Sequence, residues 1–359
     1  MIKRKTKFEY ILVAVMISLF FLGSIAIAAE SVEIDLEFAV NKVLDNNLKL
    51  RSARIELENA KLNYKESLIQ SNNTKSGQIK ALLAMIQAEE QYRKITDEKI
   101  YSIIEDYFQL YRQIKQLKIT EKKLNLEKRI LGEIEAEVQV GSKSSPDQFD
   151  QQNRYYNQKI ALENLKGEIA YNKAVLKAEL GLKNNNKMNL SEISIAPDWK
   201  IDKEKVLERA LKYSNNIKLQ KKQIKLVEAQ LNKAKLINQP EIQVTRLTNN
   251  LKLAKIKLKQ EKHRLGQSIK KQFYTYDQGL KQIRLLKMKI KQLQKNYDIL
   301  KEEYESGRIT GSNLITAEIS LLEGKQSLLK SICDYYLIGI RLKQTIGIKV
   351  GVNIDDLTK

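Results

Sequence analysis

The sequence predicts an all-α protein made of two tandem repeats of one long helical hairpin, its helices meeting along coiled-coil seams. Three observations carry this. Only 3 prolines and 14 glycines in 359 residues leave few places for the chain to turn. Hydrophobic residues at 42% and charged residues at 30% fit extended helices better than a thick core. The chain also repeats itself. Asn46-Asn47-Leu48-Lys49-Leu50 recurs as Asn215-Asn216-Ile217-Lys218-Leu219, and at that offset of 169 nine of eighteen positions are identical. Ser102-Ile103 and Tyr107-Phe108 match Ser268-Ile269 and Phe273-Tyr274 at an offset of 166, which also pairs Gly141 with Gly307 and Gly181 with Gly347.

In chain order, residues 1–28 read as a secretory signal: Lys3, Arg4, Lys5 and Lys7, an apolar run from Tyr10 to Phe21, then Ala26-Ile27-Ala28 as a cleavage site. A retained membrane anchor is the rival reading, but the run is short for a span. The first repeat, 29–182, divides at its breakers into a helix over 35–70, an upper turn at 71–77, a long helix over 78–140, a lower turn at 141–146 and a helix over 147–182. Residues 183–200, rich in Asn and Ser, read as a linker, with Trp199 expected to anchor it onto the helices rather than to serve as a binding aromatic. The second repeat, 201–348, follows the same order, with its upper turn at 238–250 around Pro240 and its lower turn at 307–312. A tail over 349–359 closes the chain. All three prolines then fall in connections.

Periodicity supports the helices independently. Ile283, Leu286, Ile290, Leu293, Tyr297, Leu300 and Tyr304 step by three and four, a heptad seam. Leu110, Ile114, Leu117, Leu124, Leu131, Ile134 and Val138 do the same, with Glu121 interrupting. At about 1.5 Å per residue the long helices span roughly 90 Å and their neighbours roughly 50 Å. Two short helices laid end to end therefore cover one long helix, and the buried surface is expected as a set of seams.

The formal charge of +21 falls to +18 without the signal, favouring acidic partners such as an anionic envelope lipid or polymer. Nucleic acid is not expected, because the chain reads as exported and its lysines are spread along every helix. Solvated helix faces account for most of this charge. Cys333, the sole cysteine, cannot form an internal disulfide and reads as a small core residue beside Ile332, Tyr335 and Tyr336. His263 lies in a Lys-rich helix without a second metal-ligand type in register. No nucleophile with a base, metal cluster or convergent carboxylate pair is visible, since Glu89-Glu90 diverge on a helix and Asp355-Asp356 lie in the tail. No catalytic, metal or cofactor residue is assigned.

The lower turns read as hairpin tips. Gly141 and Gly307 suit a left-handed helix end, and Asp147 and Asn313 are placed to cap the helices that follow. Their pattern is Gly141, Ser144, Asp147 and Phe149 in one half, Gly307, Thr310, Asn313 and Leu314 in the other. With Leu180-Gly181, Ile346-Gly347 and the opening segment from Ile34 to Lys49, it resembles the TolC-like family of outer-membrane efflux proteins. That resemblance implies an α-barrel-type helical tunnel formed by a homotrimer. It also implies a periplasmic adaptor docked at the tips, an inner-membrane pump, and a place in the cell envelope, at the outer membrane or in the periplasm. The family inserts a β-hairpin at each upper turn to build a membrane barrel. Here residues 71–77 show no strand pattern, and Ile242, Val244 and Leu247 make at most a stub, so the barrel strands are largely missing. The alternative is a periplasmic or cell-surface coiled coil that has lost the channel role.

Overall fold

A computed structural model describes residues 31–70, 74–183, 187–193 and 203–347. The signal segment, turn residues 71–73, Pro197 and Trp199 of the linker, and the tail with Asp355 and Asp356 lie outside the described residues.

The elements run β1 (Ser31–Ile34), α1 (Leu36–Asn46), α2 (Leu48–Ile69), α3 (Lys75–Gln139), α4 (Ser145–Glu179), β2 (Lys187–Leu190), α5 (Lys203–Tyr213), α6 (Asn215–Leu236), α7 (Glu241–Glu305) and α8 (Gly311–Thr345). The two halves agree helix for helix, at 11, 22, 65 and 35 residues.

Local chemistry sets these boundaries, and it corrects several expectations. The helix over 35–70 is two helices, broken at Asn47, whose extended backbone (φ −76°, ψ 112°) lets its Oδ1 accept the Leu50 N–H at 2.9 Å. Ser214 does the same for Ile217 in the second half. Asn47 therefore corresponds to Ser214, 167 residues on, and the Asn-Asn pairs aligned at 169 are two residues out of structural register. Pro146 is not in a connection: it stands in the first turn of α4, where its missing N–H costs no hydrogen bond. The upper connection expected at 238–250 closes by Pro240, because Asn238 takes a left-handed φ of 48° and Pro240 caps α7. Ile242, Val244 and Leu247 are helical.

The linker contributes a strand that periodicity missed. β2 pairs in parallel with β1, Ser31 opposite Lys187 through Ile34 opposite Leu190. Tyr107 pins the pair, its hydroxyl 3.0 Å from the carbonyls of both Ile34 and Ser191, and burial pushes its ionisation far above the ordinary tyrosine range.

Packing places the helices in four columns. α3 contacts α1, α2 and α4 of its own half and both α6 and α8 of the other, while α7 contacts α5, α6 and α8. The order across the molecule is α2 with α4, then α3, then α6 with α8, then α7. Within a column the short helices abut: Asn46 donates from its side-chain amide to the Leu180 carbonyl at 3.0 Å, where Gly181 (φ 66°) ends α4's turn. The predicted seams hold as partly buried faces, with Glu121 outside them and Tyr304 exposed at the tip. Burial is not confined to seams, however. At mid-height Ile34, Ile103, Ile104, Tyr107, Phe108, Leu110, Leu180 and Ile340 join in one core, a waist between two thinner arms.

Candidate functional site at the hairpin tips

Both tips are built by the same local chemistry. α3 ends with Gly141 at φ 76°, its N–H donating to Val138 and that of Ser142 to Glu137 at 2.9 Å. α7 ends with Gly307 at φ 72°, with Tyr304 and Glu303 as the equivalent acceptors. This paired closure needs a left-handed residue after the helix, which glycine adopts without a Cβ penalty.

The capping roles differ from expectation. Ser144, not Asp147, is the N-cap of α4, and Thr310, not Asn313, is that of α8. The cap is the last residue with extended backbone, and Ser144 (ψ 157°) and Thr310 (ψ 157°) hold that position. Asp147 completes a capping box from three residues on, its Oδ2 accepting from the Ser144 hydroxyl at 2.6 Å and from the Ser144 N–H at 3.0 Å. Those donors hold the Asp147 carboxyl below the usual carboxylate range. Asn313 donates its backbone N–H to Thr310 Oγ1.

Gly141, Ser144, Asp147, Gly307, Thr310 and Asn313 are all exposed, and Leu314 is partly buried. Val140 and Phe149 add exposed apolar surface to the first tip.

The two tips are tied to each other by residues that sequence reasoning did not single out. Ser312 Oγ donates to Glu133 Oε1 at 2.9 Å, and Glu133 also pairs with Arg129 at 3.3 Å. The Arg129 guanidinium lies against Gly311, where any Cβ would overlap it. Higher up, Lys122 pairs with Glu318 at 2.7 Å and Lys123 with Glu323 at 2.6 Å. Charges on α3 were legible, but their partners lie nearly 200 residues away, and single-sequence periodicity carries no signal for that pairing.

A second tie joins α3 to α8 just above the waist. Arg93 reaches Glu90 at 2.6 Å, Asp97 at 3.0 Å and the Gln344 carbonyl at 3.2 Å, and Gln344 donates to the Asp97 carbonyl at 2.9 Å. Burial pushes the Asp97 carboxyl up to about 6 despite Arg93. Arg341 stacks over Tyr101 beside them, 4.1 Å from the ring centroid.

Among the described residues no three His, Cys, Asp or Glu side chains converge as a metal site, and no helix is long and apolar enough to cross a membrane. His263 is exposed on α7, and Cys333 is buried in the waist, its thiol pushed up to about 12 by desolvation.

No protein-family description and no curated protein matches the sequence. Solved structures do match. The outer membrane protein VceC from Vibrio cholerae aligns over 87% of this chain and 96% of its own, at 12% identity and a TM-score of 0.62. The outer-membrane channel OprN aligns over 87% and 89%, at 12% identity and a TM-score of 0.64. The Campylobacter jejuni CmeC outer membrane channel aligns over 90% and 89%, at 14% identity and a TM-score of 0.57. The chain shares the fold of these channels, the helical-hairpin architecture of TolC-like structures.

Proposed function

We propose that this chain is a non-enzymatic, outer-membrane-factor-like component of an envelope efflux or export system. Three copies form a helical tunnel whose tips, through Gly141, Ser144, Asp147, Gly307, Thr310, Asn313 and Leu314, dock a periplasmic adaptor coupled to an inner-membrane pump. Residues 1–28 direct export, 29–182 and 201–348 are the two hairpin repeats joined by the linker 183–200, and 349–359 is a tail.

One observation carries the reading beyond shared fold: duplicated helices are buried unequally. α3 buries thirteen residues and α7 five, while α8 buries thirteen and α4 four, so two columns are interior and two are edges. Phe108 is wholly buried, yet its repeat equivalent Tyr274 is exposed. Large apolar side chains remain uncovered along both edges, Tyr156, Ile160 and Tyr171 on α4, and Leu253, Leu285 and Met288 on α7. Exposed apolar surface of this extent marks an interface. Two different edges on one layer make a head-to-tail contact, which closes into a ring when the layer is curved.

The mass of the purified full chain in detergent tests this. A trimer is expected, with Ile160→Asp and Leu285→Asp each shifting it to monomer at unchanged helical content. A monomeric wild-type chain at micromolar concentration overturns the tunnel and favours a structural coiled coil.

A further inference from the structure

The end of the molecule opposite the tips differs from them in chemistry. α2 and α6 each run 22 residues up from the waist, and both finish on bare aliphatic side chains. Ile69 and Leu236 are each 83% exposed and Ile242 is 70% exposed, with Leu68 and Ile237 also uncovered. Neither upper connection has room for a membrane-spanning strand of about 9–11 residues, since Gln70 to Thr74 and Ile237 to Pro240 are all that separate the helices.

Charge is divided unequally between the two upper arms. Residues 215–264 hold thirteen Lys and Arg against three Asp and Glu, whereas the equivalent residues 48–98 hold nine against seven. Lys233, Lys235 and Arg246 flank the apolar turn and are exposed. Solvated helix faces explain lysines spread evenly over both halves; they do not explain a net ten positive charges in one arm against two in its equivalent, in an arm that ends in exposed aliphatics. A soluble anionic polymer would account for the lysines alone. Basic side chains ringing exposed aliphatics are the pattern of interfacial lipid binding.

We propose that this upper end docks on an anionic lipid bilayer, with Leu236, Ile237 and Ile242 entering the headgroup and acyl boundary and Lys233, Lys235 and Arg246 facing lipid phosphates. The contact needs neither the trimer nor the adaptor, so it stands or falls apart from the tunnel reading.

The apolar signal segment of the full chain could itself bind vesicles, so the test reads position rather than binding. Ile237→Cys carries an environment-sensitive fluorophore, Val140→Cys at the opposite end is the control, and Cys333 stays unlabelled because it is buried and its thiol is shifted upward. With vesicles of phosphatidylcholine plus phosphatidylglycerol, the label at 237 should shift to the blue and be quenched by lipid-borne quenchers, while the label at 140 remains in water. Phosphatidylcholine alone should give little response. Combining Lys233→Glu, Lys235→Glu and Arg246→Glu should weaken the response about tenfold or more, and raised salt should weaken it too. A label at 237 that stays in water on vesicle-bound protein overturns the proposal, as does an equal response to neutral vesicles. Polyphosphate that competes fully, with no quenching at 237, assigns the surface to a polymer instead.

Discussion

At the scale of single residues, the least replaceable side chain near the tips is one that is absent. Gly311 opens α8 where Arg129 crosses from α3, and a Cβ there would overlap the guanidinium. Gly311→Ala should displace Arg129 from Glu133 and destabilise the chain by about 1–3 kcal/mol. In an Arg129→Ala background the same change should cost little, and a double-mutant cycle in urea measures the difference. Equal costs in both backgrounds would place the strain elsewhere. Asp97 offers a second test. Its folded pKa of about 6 stands above the ordinary carboxyl value of 3.8, so between those values the native chain binds more protons than the unfolded one. Unfolding free energy should therefore fall as pH rises through that window and level off above it. Partial exposure keeps the loss to about 1–2 kcal/mol. Asp97→Asn should flatten the dependence, leaving Gln344 bonded to the residue 97 backbone; a persistent slope in urea titrations would assign it to another carboxylate, such as Asp106, which burial also raises.

At the scale of elements, stability should be distributed unevenly along each rod. The waist joins α1, α3 and α8 to the β1–β2 pair, whereas the arms are held by seams of partly buried residues. Phe108→Ala should cost about 3–5 kcal/mol by thermal or denaturant unfolding, because the side chain is wholly enclosed. Leu293→Ala on the α7 seam should cost about 1–2 kcal/mol, its side chain losing less buried area. Comparable losses would mean that the arms carry as much stability as the waist. Much at this scale was legible beforehand. Breakers and heptad spacing, both local properties, gave α3 to within three residues at each end but set the start of α7 about ten residues too late, since its Asn-rich first turns read as a connection. The breaks at Asn47 and Ser214 were not, because an N-cap inside a helical pattern shows only once the backbone turns extended. The β1–β2 pairing was also hidden, its partners being more than 150 residues apart and only four residues long.

At the scale of the whole molecule, the tip residues Gly141 and Gly307 could be read from the repeat, but the ties that hold the tips together could not. Nor could the repeat reveal which copy of a helix is interior. α3 and α7 share length and pattern, yet α3 lies between two columns and α7 has a neighbour on one side only. That placement turns equivalent positions into a buried Phe108 and an exposed Tyr274, and it creates the two apolar edges on which the trimer proposal rests. Capping, periodicity and composition act within a few residues of each position, and they were enough to give the long helices, their doubled order and the lower turning points from the chain alone. The column order, the strand pair, the Arg129–Gly311 contact and the division into interior and edge came from packing. Each of these depends on which distant segments meet, and a duplicated pattern specifies the same surface twice without saying which copy will be covered.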